Sequence, residues 1–454
     1  MTAPGADTQH GIRRRNLARV LGAVAADGPV SRAGVAARVG LTRAAVGTLV
    51  DALLRAGLLV ETGPAATGGR GRPGSELAVS DTGPAGIGAE IGVGNLAVCA
   101  VDLRGRIRAR AAADVADRGS EPGPVLRRLA GMIAEVTDRI AALDLRPAGL
   151  TVAVPGLVAR GTTTVVHAPN LGWRNVDPAP VLRALTAVPE PLTVENEANL
   201  GALAELRLGG GPDGSGAPPP DFLHVSAEAG IGAAVVVDGQ LLRGARGFAG
   251  ELGHVPVYPG GRPCGCGARG CLEQYAGEAA VLRAAGLDPG RAAAGHPGPR
   301  ARVELLAHRA AAGNPATLAA LRDAGTALGI ALAGAVHLLD PEAVLLGGAL
   351  ARLAPWLLPS LERELTARTA LAPDGGDRAA DTGGRRPLRR RRAAARRRAR
   401  RPARRSRRSA GPVLDTRRFP AALRRITRSV ASTPFPGPGP PVRGRNHPGT
   451  LSSN

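Results

Sequence analysis

Lysine is missing from the whole chain of 454 residues, so all 59 basic residues are arginine. Aromatic rings are nearly as scarce: four Phe, two Trp and two Tyr. So few rings leave little with which to stack unpaired bases, which argues against a binder of single strands, and any core must be built from Val, Leu and Ala. Four cysteines cannot staple a chain of this length, and three of them crowd at Cys264, Cys266 and Cys271, which points to metal in a reducing compartment. Long apolar runs are lacking too. The best candidate, 327–339, falls short of the ~20 residues a membrane helix needs. Arg13-Arg14-Arg15 ahead of an apolar stretch imitates a signal peptide, but Arg19 interrupts the stretch and its spacing is helical. A cytoplasmic protein with no membrane partner is expected.

The length suits roughly three domains, and a hydrophobic content of 44% is ample for buried cores. The net charge of +22 suggests a polyanionic partner until it is located. Residues 375–454 hold 23 Arg against three Asp, a net +20, and the other 374 residues carry only +2. The segment 374–454 loses apolar periodicity and is expected to be disordered. It fits a basic arm that adds non-specific affinity for DNA phosphates. A shifted reading frame in a GC-rich gene gives the same Arg/Ala/Pro/Gly mixture and is the favoured of the two readings.

Residues 12–80 read as three short helices and a glycine-rich hairpin. Ser31 can cap a second helix, Gly40 makes the turn, and Thr42 can cap a third. Ala36 is small where two helices must touch, and Val46 and Leu49 are apolar anchors. Thr42, Arg43, Ala44, Ala45 and Thr48 then lie on the start and outward face of a recognition helix, where side chains reach base edges in the major groove. A plain packing pair is the alternative. Segments 58–61 and 76–79 flank 63–74 as the arms of a wing, whose Arg70 and Arg72 suit a narrow minor groove. From residue 84 strands alternate with helices, which predicts two α/β lobes, 84–208 and 221–372.

The second constellation is Glu251-Leu-Gly-His254, then Cys264, Cys266 and Cys271, with Glu273 two residues on. One imidazole and three thiolates form a closed set suited to structural Zn2+, the metal site being His254, Cys264, Cys266 and Cys271. Inert thiols are the alternative, but the glycines around them would let a short loop wrap an ion. Such closure would draw Glu251 and Glu273 together, and carboxylates beside a polarised imidazole are good acceptors for sugar hydroxyls.

On these motifs the chain resembles regulators of the ROK family (repressors, open reading frames and sugar kinases), from about residue 12 to 372. The resemblance implies a winged helix-turn-helix followed by a two-lobed actin-like (ribonuclease H-like) sugar-kinase fold, with zinc on the His-Cys-Cys-Cys set. It places sugar contacts at Asn196, Glu197, Glu251, His254 and Glu273, and with them Pro155-Gly156 and Asn170. The family pattern continues past Ala372 with a further α/β segment that this sequence replaces with its tail.

Departures from the kinase members point away from catalysis. The family's usual Asp base is here Glu197, one methylene longer, and misplacement on that scale costs orders of magnitude in rate. The phosphate loops, usually Asp-x-Gly-Gly-Thr and Gly-Thr-Gly, read Glu90-Ile-Gly-Val-Gly94 and Glu228-Ala-Gly230. The second of these puts negative charge beside a polyphosphate. The expectation is a sugar-responsive DNA-binding regulator, a repressor of carbohydrate genes, without catalytic residues. Its partners would be double-stranded operator DNA, a sugar or sugar-phosphate effector and a second copy in a homodimer. The alternative is a sugar kinase with an appended DNA-binding domain.

Overall fold

The computed structural model describes residues 9–64, 75–114, 121–208, 218–228, 230–290, 292, 299–369, 414–415 and 425–428. The N-terminal unit runs α1 (Gln9–Asp27), β1 (Val30–Ser31), α2 (Arg32–Val39), α3 (Arg43–Arg55), β2 (Leu59–Pro64) and β3 (Ser75–Val79). Its helix ends follow from local chemistry. Ser31 accepts the Gly34 N–H at 3.1 Å and Thr42 accepts the Ala45 N–H at 3.3 Å, each satisfying a donor that the first helical turn leaves orphaned. Gly40 ends α2 at φ 65°, a left-handed conformation that costs glycine little. The chain turns through 113° between α2 and α3. Val20, Val24, Val35, Val46, Val50, Leu59 and Leu77 close the core beneath a sheet ordered β1-β3-β2.

Lobe 1 comprises β4 (Gly83–Ile91), β5 (Asn95–Asp102), β6 (Ile107–Asp114), α4 (Pro122–Ala141), β7 (Leu145–Val154), β8 (Leu157–Val158), β9 (Val165–Ala168), β10 (Trp173–Val176), α5 (Pro178–Leu185), β11 (Leu192–Asn196) and α6 (Glu197–Leu208). Its main sheet is ordered β11-β7-β4-β5-β6, an antiparallel meander β4-β5-β6 with β7 and β11 added in parallel. A small separate sheet holds β8, β9 and β10.

Lobe 2 comprises β12 (Phe222–Ala227), β13 (Ile231–Val237), β14 (Gln240–Leu242), α7 (Glu273–Ala276), α8 (Glu278–Ala284), α9 (Pro299–Ala311), α10 (Pro315–Leu339), β15 (Ala343–Gly347) and α11 (Gly348–Arg368). Two further strands, β16 (Leu414–Asp415) and β17 (Arg425–Arg428), complete the sheet order β14-β13-β12-β15-β17-β16. Numbered from the start of each lobe, the first four strands lie in the same order, third-second-first-fourth, in both lobes, and a later strand, β11 in lobe 1 and β17 in lobe 2, adds in parallel beyond the fourth. The fold is therefore a duplicated α/β layer.

Two expectations need correction. The tail expected to be disordered, 374–454, lies outside the described residues except for 414–415 and 425–428, where β17 pairs in parallel with β15, Ala343 opposite Arg425 and Leu346 opposite Arg428. The pairing covers a backbone edge of β15 that would otherwise be open. The apolar helix is also longer than the sequence suggested. α10 has 25 residues, enough by length and composition to cross a membrane, but it lies in the core of lobe 2. Its glycines explain the close fit. A Cβ at Gly325 would lie 2.4 Å from the Leu357 carbonyl and one at Gly329 2.7 Å from that of Leu361, so α10 and α11 approach backbone to backbone.

Candidate functional site

The carboxyl ends of β4, β11 and β12, strands of both lobes, bring their residues together, at the side where open α/β sheets usually bind ligands. β4 brings Glu90, the turn after β7 brings Pro155-Gly156, the junction of β11 and α6 brings Asn196 and Glu197, and the residue after β12 is Glu228. Three of these are carboxylates close enough to feel one another. Burial pushes the Glu197 carboxyl up to about 8, with the charges of Glu228 and Glu90 adding to it. Glu228 is open to solvent on one side, yet the surrounding cleft walls and the Glu90 charge lift it to about 7. Burial also raises Glu90, against a 3.5 Å hydrogen bond donated by Asn95 Nδ2. Among the described residues no arginine forms an ion pair with any of the three.

Asn196 is more constrained than its sequence suggests. Its Oδ1 accepts the N–H groups of Ala198 at 2.8 Å and Asn199 at 3.3 Å, starting α6, and its Nδ2 donates to the Gly156 carbonyl at 3.0 Å. The acceptor is thus committed, and a ligand could claim only the remaining Nδ2 hydrogen. Glu195, which the sequence reading passed over, bridges the lobes. It accepts Asn199 Nδ2 at 2.9 Å on one oxygen and Arg243 Nε at 2.8 Å on the other. Beside it Arg160 of lobe 1 donates its backbone N–H to the Arg246 carbonyl at 2.9 Å and its guanidinium to the Gly244 carbonyl at 3.1 Å. This latch leads directly into Glu251.

His254 lies 3.9 Å from Glu251 through Nε2 and 3.7 Å from the Cys264 thiol through Nδ1. Cys266 and Cys271 are 3.7 Å apart, and the ligand atoms of His254, Cys264, Cys266 and Cys271 all lie within 4.8 Å of one another. A disulfide would need ~2.05 Å, whereas the edge of a tetrahedron with ~2.3 Å metal–sulfur bonds is ~3.8 Å, so the set fits one tetrahedral cation. Burial and its neighbouring thiols push Cys271 up to about 12, so the protons leave when a cation arrives. With Nδ1 turned to the thiols, Nε2 is left facing Glu251. Burial raises Glu251 as well, its His254 neighbour lowering it and Glu273 raising it. Glu273 accepts the Ile231 N–H at 3.2 Å, and a Cβ on Gly230 would collide with it and approach Asn170. Gly230 and Ile231 thus border Glu273, and Glu228 the acids Glu90 and Glu197.

On the N-terminal unit Thr42, Arg43, Ala44, Ala45 and Thr48 are all exposed on one face of α3, and Val46, Leu49, Val50 and Leu53 are buried on the other. Thr48 donates to the Ala44 carbonyl at 3.3 Å. Arg70 and Arg72 lie outside the described residues.

A family model described as "ROK family" matches residues 86–377. The chain belongs to the ROK family. Among ROK relatives, the xylose repressor of Bacillus spizizenii is 28% identical over 359 residues, 79% of this chain and 88% of that protein. The glucokinase of Streptomyces coelicolor is 30% identical over 275 residues, 58% and 81% of the two chains. The crystal structure of a ROK family transcriptional regulator, a homolog of the E. coli MLC protein, superposes with a TM-score of 0.63 at 29% identity, covering 79% of this chain and 89% of that one. A ROK glucokinase from Streptomyces griseus, in complex with glucose and AMPPNP, shares the fold with a TM-score of 0.53 at 24% identity over 65% and 92% of the chains.

Proposed function

We propose that this ROK chain is a sugar-responsive transcriptional repressor of carbohydrate genes that has given up phosphoryl transfer. The observation that carries the reading is the exposed α3 face, with its capped start, joined to a sugar-kinase-like body. The α1 to β3 unit has the element order of a winged helix-turn-helix, and Arg43 and Thr48 stand where base edges would be read. Extent of similarity supports it. The 359-residue match to the xylose repressor is longer than the family region at 86–377, while the 275-residue match to the glucokinase is shorter than it.

Zn2+ on His254, Cys264, Cys266 and Cys271 would be structural, since four protein ligands leave no open position for a catalytic water. It would fix Glu251 and Glu273 as acceptors and the His254 Nε2–H as a donor for sugar hydroxyls, with Glu197 and the free hydrogen of Asn196 also facing the sugar. The three unpaired carboxylates Glu90, Glu197 and Glu228 disfavour a nucleoside triphosphate. Glu197 is one methylene longer than the family's usual Asp base, and that displacement of the carboxyl weighs against phosphoryl transfer. A homodimer formed by the ROK lobes would set the spacing of two α3 helices to a two-fold operator in the cytoplasm. Sugar must bind the two lobe arrangements with different affinity, or no switching follows.

DNase footprinting on the neighbouring promoter tests this, with D-xylose and D-glucose as first probes. Protection of a two-fold site that one sugar weakens is expected. No protection in any condition, or ATP-dependent hexose phosphorylation at ordinary enzyme rates, would replace the repressor with the kinase reading.

A further inference from the structure

Only Ser80, Asp81 and Thr82 separate the end of β3 at Val79 from the start of β4 at Gly83, and this connector is not a free tether. The tight turn between β5 and β6 is folded over it. At the start of that turn Asp102 is buried, its side chain 1% exposed. Its Oδ1 accepts the N–H groups of Arg104 at 2.9 Å and Arg106 at 3.0 Å. Its Oδ2 accepts Arg106 Nε at 3.2 Å and Arg108 Nη1 at 2.9 Å. Burial alone would raise this carboxyl. The Arg106 N–H, the Arg108 guanidinium and the Arg104 N–H outweigh burial and hold it below the usual range.

The arginines that Asp102 binds reach the connector. Arg104 Nε donates to the Val79 carbonyl at 2.6 Å, and Arg108 Nη1 donates to the Asp81 carbonyl at 2.7 Å. Arg104 also pairs with the Asp81 carboxylate at 3.7 Å. Leu103, at the tip of the same turn, packs against the apolar core of the N-terminal unit. Both ends of the connector are tied as well. The Ser80 N–H donates to the Leu58 carbonyl at 3.0 Å and the Gly83 N–H to the Asp144 carbonyl at 2.9 Å. A carboxylate that merely closed a hairpin turn would need only the two backbone bonds. The Arg108 guanidinium, shared between Asp102 and the Asp81 carbonyl, gives it a second task.

We infer that Asp102 is the positioning residue of this regulator: by fixing the turn that carries Arg104 and by holding the Arg108 guanidinium against Asp81 it mounts the DNA-reading unit rigidly on lobe 1, so that lobe movement on sugar binding is passed to α3. The inference rests on the repressor reading. Without the joint, three connector residues would act as a swivel and absorb the movement, because coupling between sites requires an element whose position both sites bias.

The test uses the full chain and three variants: Arg104→Ala, Arg104→Lys, and insertion of Gly-Ser-Gly between Asp81 and Thr82. Asp102→Asn is a fourth, but loss of its buried contacts could also unfold lobe 1. Calorimetry gives the sugar Kd, and fluorescence anisotropy gives the operator Kd with and without D-xylose or D-glucose. For the wild type, the ratio of operator Kd values with and without sugar should fall in the ~5–150-fold range of allosteric couplings. In Arg104→Ala and the insertion it should drop toward one while the sugar Kd stays within about twofold, and Arg104→Lys, which keeps a donor for Val79, should recover part of it. An undiminished ratio in both Arg104→Ala and the insertion overturns the joint. A wild-type ratio of one with both sugars is a different result, and it removes the repressor reading itself.

Discussion

Glu197 is where burial and charge act most strongly on one side chain. Its carboxyl sits near 8 against an ordinary 4.5, with burial the first cause and Glu228 and Glu90 next. A carboxyl whose folded pKa is raised stabilises the fold in its protonated form. That contribution is complete below the unfolded value and is lost as pH rises through the folded value. Glu228, raised to about 7, adds in the same direction. The melting temperature should therefore fall between pH 6 and pH 9, and Glu197→Gln should flatten that fall by on the order of 1–3 kcal/mol of stability. Melting curves across the range decide it. A wild type as stable at pH 9 as at pH 6 would mean that the three carboxylates do not share a cleft. The sequence marked Glu197, Glu251, His254 and Glu273 through their motifs. It could not reveal that Glu197 keeps a proton, because the charges responsible are Glu90 and Glu228, on other strands. Nor could it reveal that Asn196 spends its acceptor on α6, or that Glu195 meets Arg243 across the lobes.

At the scale of elements, local chemistry was readable and long-range pairing was not. Ser31, Gly40 and Thr42 announced α2 and α3 because caps and left-handed turns act within three or four residues. β6 and the small β8-β9-β10 sheet went unseen because alanine-rich or very short strands carry little alternation. α11 runs from Gly348 to Arg368 with Pro355 and Pro359 inside it, and these prolines mask its helical signal in the sequence. The loop from His254 to Cys271 is the element whose order depends most on something besides its own packing. It forms no α-helix or named strand of its own and is held by turn bonds and isolated bridges, among them Cys264 N–H to the Ala268 carbonyl and Val257 N–H to the Gly270 carbonyl. Stripping Zn2+ with a chelator, or substituting Cys264→Ser, should therefore lower the melting temperature and weaken sugar binding together, because Glu251 and Glu273 flank the same loop. Atomic absorption should find one zinc per chain in untreated protein. Metal-free protein that melts and binds sugar like the native form would leave the loop's order to packing alone.

The whole molecule combines a nearly neutral body with a strongly charged tail, and the two can be separated experimentally. Residues before 375 carry a net +2 and those from 375 onward +20. Affinity for DNA falls with salt at a slope of about −0.9 for each phosphate neutralised. A tail in contact with phosphates would thus steepen the slope without reading any base. The duplicated strand order adds a second consequence, because β17 takes the fifth position of lobe 2 that β11 takes in lobe 1. That repetition was invisible in the sequence, since topology is conserved between the lobes without a recurring motif. Removal of residues 375–454 should therefore do two things. Non-specific binding should weaken at low salt with a shallower dependence, leaving the operator-to-non-specific ratio higher than in the full chain. Lobe 2 should also melt earlier, because the edge of β15 loses its partner. Anisotropy titrations over a salt series and differential scanning calorimetry measure the two effects separately. Unchanged slope with earlier melting would make the tail a structural strand carrier that ignores DNA. A shallower slope with unchanged melting would make it a basic arm, and β15 would then tolerate an open edge.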